Sequence, residues 1–112
     1  MTADCIFCKI HRGELPATVV SRADGLLAIE DINPKADVHL LVIPERHLET
    51  YREIGELSEA EAKRMLDFVA ETAKAAGLEE YRLMIFCGGG AGQTVFHLHW
   101  HILGGHLRGL PA

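Results

Sequence analysis

The chain has 112 residues, 48% of them hydrophobic, which is enough for one domain with a buried core. Its net charge of −5 argues against a nonspecific DNA or RNA partner, which needs a basic surface. Three cysteines do not make a disulfide framework, and no apolar run reaches the roughly 18 residues of a membrane helix. We therefore expect a single cytoplasmic domain over residues 1–112, without a secretory leader, a membrane partner or oxidised thiols.

Hydrophobic spacing predicts alternating helices and strands along the chain. Helices are predicted at residues 5–10, 47–54 and 59–76. Strands are predicted at residues 19–20, 26–29, 38–43, 82–86 and 97–103. Asp24-Gly25 is a hairpin signal between the first two strands, and residues 31–36 form a polar loop. The segment 87–94 is rich in glycine and joins the last two strands.

The longest predicted helix has clear end signals. Ser58 and Glu61 form a capping box at its start, and Gly77 lies where a helix-ending glycine is common. Met65 and Leu66 belong to an apolar stripe that we expect to face the core. The charged side of this helix implies no chemistry, so we interpret the helix as scaffold.

A row of three histidines, each followed by an apolar residue, ends the predicted sheet: His97-Leu98-His99-Trp100-His101-Ile102-Leu103. In a strand, alternate side chains face the same way and lie roughly 6.7 Å apart. Three imidazoles on one face need many hydrogen-bond partners, which favours a site over packing; the alternative is a solvated edge strand. Imidazoles bind metals, transfer protons or act as nucleophiles. This spacing is too wide for all three to ligate one zinc ion.

The histidine row changes the interpretation of two further segments, the strand that contains His39 and the glycine-rich segment 87–94. His39 shares a strand face with Leu41 and Ile43, and alone it is best explained as a core histidine bonded to the backbone. Three histidines on a second strand favour a site instead. The segment 87–94 could turn its amide N–H groups towards an anion, although a flexible hairpin connection is the simpler alternative. It is not a P-loop, because no Gly-Lys-Ser/Thr follows.

Taken together, these segments resemble the histidine-triad family, in particular its branch of small purine-nucleotide phosphoramide hydrolases. The family pattern is His-φ-His-φ-His-φ-φ, with φ apolar, and residues 97–103 match it in full. Further matching segments are Cys5-Ile6-Phe7-Cys8-Lys9-Ile10, Asp31-Ile32-Asn33-Pro34, His39-Leu40-Leu41-Val42-Ile43-Pro44 with His47, Gly92-Gln93-Thr94-Val95-Phe96, and Gly104-Gly105. The resemblance therefore extends over nearly the whole chain.

This resemblance implies an α+β fold, in which an antiparallel sheet of about five strands carries one long and one or two short helices, and a homodimer. It implies a nucleotide hydrolase or transferase that cleaves purine nucleoside phosphoramidates through a covalent nucleotidyl-histidine intermediate. His99 would attack the α-phosphorus, with its other ring nitrogen held by the carbonyl of His97. His39 would lie behind His99 and complete a relay, and His101 would contact the phosphate and help to protonate the leaving amine. No catalytic metal is required.

The resemblance also implies a nucleotide-binding set. Asp31 would accept hydrogen bonds from the ribose hydroxyls, although it could equally cap its own loop. The apolar slot for the purine base would consist of Ile6, Phe7, Ile10, Ile29 and Ile32, which could otherwise be ordinary core residues. The remaining expected substrate-binding residues are Asn33, Gly92, Gln93 and Thr94, of which Gly92 and Thr94 offer donors for the phosphoryl oxygens.

In part of the family, two cysteines and two histidines hold a structural zinc ion. The corresponding ligands here are Cys5, Cys8, His47 and His97. Two thiolates and two imidazoles make a closed tetrahedral site, which is structural and not catalytic. The alternative is a pair of buried thiols at the start of a helix.

One position departs from the phosphoramidase pattern. That branch usually has asparagine near the phosphate, where this chain has Phe86. The loss of a polar group leaves open a shifted substrate preference. It also leaves open a non-catalytic nucleotide-binding or protein-interaction module with the same pocket, or a zinc-stabilised fold without a small ligand.

Overall fold

A computed structural model describes residues 4–108, which form an α+β fold built on one five-stranded antiparallel sheet. The strands are β1 (Val19–Ala23), β2 (Leu26–Glu30), β3 (Ala36–Pro44), β4 (Arg82–Met84) and β5 (Trp100–Leu107). Their order in the sheet is β1-β2-β3-β5-β4, so β3 and β5 are neighbours. The helices are α1 (Ile6–His11), α2 (Glu59–Ala75) and two 3₁₀ helices, Tyr51–Glu56 and Gly89–Ala91. The fold class that the resemblance implies is confirmed, whereas a single domain over all 112 residues stays a prediction.

The two faces of the sheet carry different layers. On one face, Phe68 and Val69 of α2 pack against Val42 and Ile102 of the central strands. The opposite face carries α1, with Phe7 packed against a second apolar cluster of Leu27, Ile29, Leu41 and Ile43. As predicted from strand alternation, His39 belongs with this second face, away from α2. The histidines therefore lie across the sheet from the long helix.

Most local signals in the sequence are confirmed. Asp24 and Gly25 both have positive φ, at 54° and 75°, which is the conformation of the tight turns that match the twist of a hairpin. Ser58 caps α2 through Glu61 as predicted. Leu66 is a correction, because its side chain is 50% exposed while its neighbour Met65 is buried. No helix within residues 4–108 is both long and apolar enough to cross a membrane.

The boundaries near the site differ from the predictions. β5 begins at Trp100 and not at His97, because the backbone before it bonds elsewhere: the Leu98 N–H donates to the Leu48 carbonyl at 2.6 Å. β4 ends at Met84, two residues before the predicted end. The short helix predicted at 47–54 is a 3₁₀ helix shifted to Tyr51–Glu56, because Thr50 caps it. The histidine row is consequently irregular from His97 to His99 and a strand from Trp100 onwards.

Candidate active site

A cavity of about 400 Å³ opens on the α1 side of the sheet, beside the start of β5. Both His99 and His101 line it. The other predicted site residues that line it are Ile6, Phe7, Ile10, Ile29, Asp31, Ile32, Asn33 and Thr94. Sequence reasoning missed Leu15, Pro16, Ala17, Glu30, Leu41 and Val95. Leu41 could have been predicted from strand alternation, since it shares a strand face with His39. Residues 15–17 could not, because only the folded chain brings them to the cavity.

The backbone fixes the tautomer of His99. Its Nδ1–H donates to the carbonyl of His97 at 2.7 Å, so Nε2 carries a free lone pair. The edge of the Phe7 ring packs against the imidazole, with centroids 5.0 Å apart. Burial lowers the pKa of His99 below its ordinary value, which keeps this nitrogen unprotonated at neutral pH. His99 therefore presents a neutral nucleophile beside the cavity.

His39 and His101 form a hydrogen-bonded pair with defined donors, which we call the histidine chain. The backbone N–H of Lys35 donates to His39 Nδ1 at 2.9 Å, so the proton of the neutral His39 ring lies on Nε2. This Nε2–H donates to His101 Nδ1 at 2.9 Å. The remaining proton of His101 is then on Nε2, a buried atom without a hydrogen-bond partner in the described chain.

The histidine chain stays neutral near physiological pH. Burial, together with the neighbouring imidazoles of His99 and His39, lowers the pKa of His101 to about 4. Burial also lowers the pKa of His39, although the carboxylate of Asp31 opposes that shift. A buried N–H without an acceptor costs roughly 1–3 kcal/mol. The Nε2–H of His101 is therefore a donor that a bound group in the cavity can satisfy.

The observed position of His39 differs from the expected one in one respect. The resemblance implied His39 directly behind His99, whereas its ring bonds to His101 instead. The ring centroids of His99 and His101 are 5.0 Å apart, and those of His101 and His39 are 5.2 Å apart. The order of contacts is thus His99, His101, His39. Any effect of His39 on His99 would therefore pass through His101.

Asp31 has two roles at the rim of the cavity. Its Oδ1 accepts a hydrogen bond from the Asn33 N–H at 2.8 Å, which closes the loop before β3. Its Oδ2 lies 3.4 Å from His39 Nε2. Asp31, His39 and His101 are close enough for a metal ion. They do not fit one, because His39 presents an N–H rather than a lone pair in this direction.

The glycine-rich loop differs from the expected anion nest. The Gly92 N–H donates to the Gly89 carbonyl at 3.1 Å, so it closes a turn of the loop itself. The Gln93 side chain is buried and fully bonded, accepting from Gly88 N–H and donating to the Glu49 and Val95 carbonyls. Neither Gly92 nor Gln93 lines the cavity. They organise the loop, and of the expected loop donors only Thr94 remains at the cavity.

Phe86 stands at the far side of His101. The two rings have centroids 4.9 Å apart and are tilted by 50°. A Cβ atom at Gly92 would lie 3.9 Å from Phe86 Cγ, so the ring also packs against the loop. Phe86 is half-buried and does not line the cavity itself.

The first histidine of the row belongs to a different group, which we call the thiol cluster: Cys5, Cys8, His47 and His97. The Nε2–H of His97 donates to the Pro44 carbonyl at 2.7 Å, which leaves a lone pair on Nδ1. That nitrogen lies 3.2 Å from Cys5 Sγ and 3.4 Å from Cys8 Sγ. His47 Nδ1 lies 3.0 Å from it. The ring of His97 thus belongs to this cluster, and its carbonyl reaches His99, which is the arrangement that the resemblance implies.

The thiol cluster fits a metal ion. One lone pair cannot accept good hydrogen bonds from three neighbours at once, whereas tetrahedral zinc separates its ligand atoms by roughly 3.3–3.8 Å. Burial raises the pKa of the Cys5 thiol. Burial is also the main cause that lowers the pKa of His97 to about 4, so this imidazole stays neutral at pH 7. A bound cation favours the thiolates and the neutral imidazoles that such ligands require. The four residues could bind a metal with no other group from the described chain.

Comparison with known proteins agrees with this geometry. A family model described as "HIT domain" matches residues 12–107. The chain therefore belongs to the HIT domain family, where HIT stands for histidine triad. The family assignment expected from residues 97–103 is confirmed.

Individual relatives cover nearly the whole chain. Protein HitA of Neisseria gonorrhoeae is 41% identical over 102 residues, which are 90% of this chain and 95% of HitA. The purine nucleoside phosphoramidase of Escherichia coli is 36% identical over 111 residues, or 97% and 93% of the two chains. The crystal structure of a HIT family hydrolase from Legionella pneumophila superposes with a TM-score of 0.87 at 41% identity, covering 96% and 98%.

Proposed function

We propose that this protein cleaves purine nucleoside phosphoramidates of the AMP-amine type through a covalent nucleotidyl-His99 intermediate. The observation that carries the proposal is the Nδ1–H bond from His99 to the His97 carbonyl, which directs a neutral Nε2 lone pair to a cavity of about 400 Å³. Similarity to a phosphoramidase at 36% identity supports this substrate class. Membership of a family with solved hydrolases supports the reaction type.

In the first step, His99 Nε2 bonds to the α-phosphorus as the P–N bond to the amine breaks. The electron pair of that bond leaves with the amine nitrogen, which takes one proton from solvent at the open mouth of the cavity. In the second step, a water oxygen bonds to phosphorus and the bond to His99 breaks. The electron pair returns to His99, the water proton returns to solvent, and the nucleoside monophosphate leaves.

His101 acts in these steps as a fixed hydrogen-bond donor. Its Nε2–H has no partner among the described residues, and a phosphoryl oxygen would satisfy it. Transfer of that proton would leave an imidazolate, because Nδ1 already accepts from His39. We therefore assign His101 to charge stabilisation and not to protonation of the amine, which revises the role expected from the resemblance. Thr94, which also lines the cavity, would supply a second donor.

The nucleoside would occupy the other end of the cavity. The side chains there are apolar, including Phe7, Ile10 and Ile29, and they suit the faces of a purine ring. Asp31 would accept hydrogen bonds from the ribose hydroxyls with the carboxylate oxygen that does not close its own loop. Ile32 is 90% exposed in the free protein, so a bound nucleotide would cover it at the rim.

We further propose that zinc occupies the thiol cluster as a structural ion, because two cysteines and two histidines are a common zinc ligand set. The reaction as proposed needs no catalytic metal, since the steps above use side chains, water and protons from solvent. Reduced cysteines at the cluster suit the cytoplasm. Metal analysis of protein purified without added zinc tests this assignment.

We also propose a homodimer, as the family resemblance implies. β4 forms one edge of the sheet and exposes Leu83, whose side chain is 45% accessible. Exposed edges of this kind favour pairing with another chain. Light scattering after gel filtration measures the mass, and Leu83→Lys should shift it towards a monomer if this edge is the interface.

A second function remains compatible with the same cavity. A nucleotide-binding module without turnover is favoured by Phe86, an apolar ring beside the group that we assign to the phosphate. The two functions differ in a simple assay. Tight AMP binding by the wild-type protein without hydrolysis of any phosphoramidate would support the module.

The decisive experiment uses an adenosine 5′-phosphoramidate of a simple primary amine. The wild-type protein should release AMP, and rapid acid quenching should trap adenylate on His99, detected by peptide mass spectrometry. His99→Ala should lose at least a thousandfold in rate while still binding AMP. Undiminished turnover by this variant would exclude the covalent intermediate.

A further inference from the structure

Four aromatic rings follow one another across the site. The ring centroids of Phe7 and His99 are 5.0 Å apart, those of His99 and His101 are 5.0 Å apart, and those of His101 and Phe86 are 4.9 Å apart. Phe7 is at the end that carries the apolar slot for the base. Phe86 is at the other end, beyond the two histidines that act on phosphorus.

This order separates the two substituents of the phosphorus atom. With the nucleoside held at the Phe7 end, the second substituent has to project past His101. In a phosphoramidate that second substituent is the leaving amine. Phe86 lies outside the cavity lining but contacts His101, so a leaving group that projects past His101 would meet the exposed part of this ring.

We propose that Phe86 is a specificity-determining residue that selects apolar leaving groups. The inference rests on the proposed function, because it assumes cleavage at a phosphorus held between His99 and His101. An aromatic or aliphatic amine buries apolar surface against the ring before the bond breaks. A polar amine gains nothing from the same surface and loses hydrogen bonds to water.

The shape of the loop supports a ring at this position. Gly92 has a φ of +101°. A Cβ atom added to it would lie in van der Waals contact with the Phe86 ring. The aromatic ring therefore fits between the glycine loop and His101 without displacing either. A ring held in one place next to His101 offers a leaving group a fixed apolar surface just beyond the cavity.

Two substrates that share the adenosine 5′-phosphoryl group test the proposal. One carries 2-phenylethylamine, and the other carries 2-(2-aminoethoxy)ethanol, which is neutral and of similar length. We expect the wild-type protein to favour the phenyl substrate in kcat/KM by about tenfold or more, the range typical of apolar pocket contacts. A wild-type preference for the ether alcohol would overturn the proposal before any variant is made.

The variants separate specificity from folding. Phe86→Asn should reduce the phenyl-to-ether ratio by about tenfold, whereas Phe86→Leu should keep it within about threefold. Because both substrates are measured on the same preparation, a reduced folded fraction cancels in the ratio. Phe96→Asn is the matched control, since Phe96 is an exposed phenylalanine beside Gly89 of the same loop and, unlike Phe86, makes no ring contact with His101 in the described chain.

Each outcome has one meaning. An unchanged ratio in Phe86→Asn, with both substrates cleaved, excludes Phe86 as the determinant while the proposed reaction stands. Wild-type protein that cleaves neither substrate refutes the proposed function itself. If Phe86→Asn does not fold, the Leu variant decides instead when compared with Phe86→Ala, which should lose the preference.

Discussion

The thiol cluster and the histidine chain use the same residue type for different chemistry, although His97 and His101 stand only four positions apart in the sequence. In the thiol cluster, the ring of His97 donates through Nε2 to the Pro44 carbonyl and turns its Nδ1 lone pair towards other lone pairs. In the histidine chain, donors and acceptors alternate from Lys35 to His39 to His101. Converging lone pairs suit a cation, and an alternating chain suits a bound anion. The difference comes from two backbone hydrogen bonds, one from His97 Nε2–H to the Pro44 carbonyl and one from the Lys35 N–H to His39 Nδ1.

The largest expected effect comes from removing the thiols. The double variant Cys5→Ser/Cys8→Ser should lose its metal and lower the free energy of unfolding by more than about 3 kcal/mol. Metal analysis and urea unfolding measure both changes. Cys87→Ser is the control, because this third cysteine lies outside the cluster and should change neither. A double variant that still carries one equivalent of zinc would refute the ligand set.

The next largest effect should come from breaking the histidine chain while leaving the thiol cluster intact. His39→Leu removes the donor to His101 Nδ1, which frees the ring of His101 to change its tautomer or rotate. We expect kcat to fall about 10- to 100-fold with unchanged metal content. His106→Gln, a change at an exposed histidine outside both groups, should keep wild-type kcat. Loss of metal from His39→Leu would show that the two groups are not separate.

The pH dependence of stability distinguishes the histidine chain by its sign. His101 has a pKa of about 4 in the folded protein, below its ordinary value of 6.5, so the unfolded chain binds more protons between these values. The contribution of His101 to the free energy of unfolding is therefore fully present above pH 6.5 and is lost as the pH drops towards 4. Between pH 7 and 5, we expect His101 to contribute about 1–2 kcal/mol of this loss.

Urea unfolding of zinc-loaded protein at several pH values measures this contribution. Other buried histidines shift in the same direction, so the wild-type slope contains more than one group. His101→Gln removes only one of them and should flatten the curve by at most one proton. Identical curves for the two proteins would show that His101 is not the titrating group.

The smallest expected effect concerns Asp31. Asp31→Asn keeps an oxygen for the Asn33 N–H but removes the charge next to His39. The free energy of unfolding should change by less than about 0.5 kcal/mol, and KM for the nucleotide should rise about tenfold. Asp31→Ala should raise KM similarly and also cost about 1 kcal/mol of stability, because it removes the loop hydrogen bond. Equal KM values for Asp31→Asn and wild type would exclude a ribose contact.

The sequence predicted the parts of the fold that depend on local or alternating patterns. The hairpin at Asp24-Gly25, the cap of α2 at Ser58 and the shared face of His39 and Leu41 all follow from rules that involve a few neighbouring residues. The position of Leu66 did not follow, because helical spacing does not say how wide the buried stripe is.

The site was predictable in its residues more than in its contacts. Alternation placed three imidazoles on one strand face, whereas the chain bends at His97 because Leu98 bonds to Leu48, fifty residues away in sequence. The pairing of His39 with His101 depends on the register of β3 against β5, and no local pattern fixes that register. The bonds of Gly92 and Gln93 within the loop also required coordinates, since glycine spacing fits both a nest and a closed turn.

His97 serves both the thiol cluster and the nucleophile His99, through different atoms. Its imidazole is held by the cysteines at the start of the chain, and its carbonyl oxygen orients the nucleophile two residues later. We therefore expect catalytic competence to be conditional on completed folding: a molecule whose amino-terminal segment has not docked also has a wrongly aimed His99. Partly folded molecules of this protein should then be inactive towards nucleotides and should not cleave them with low specificity.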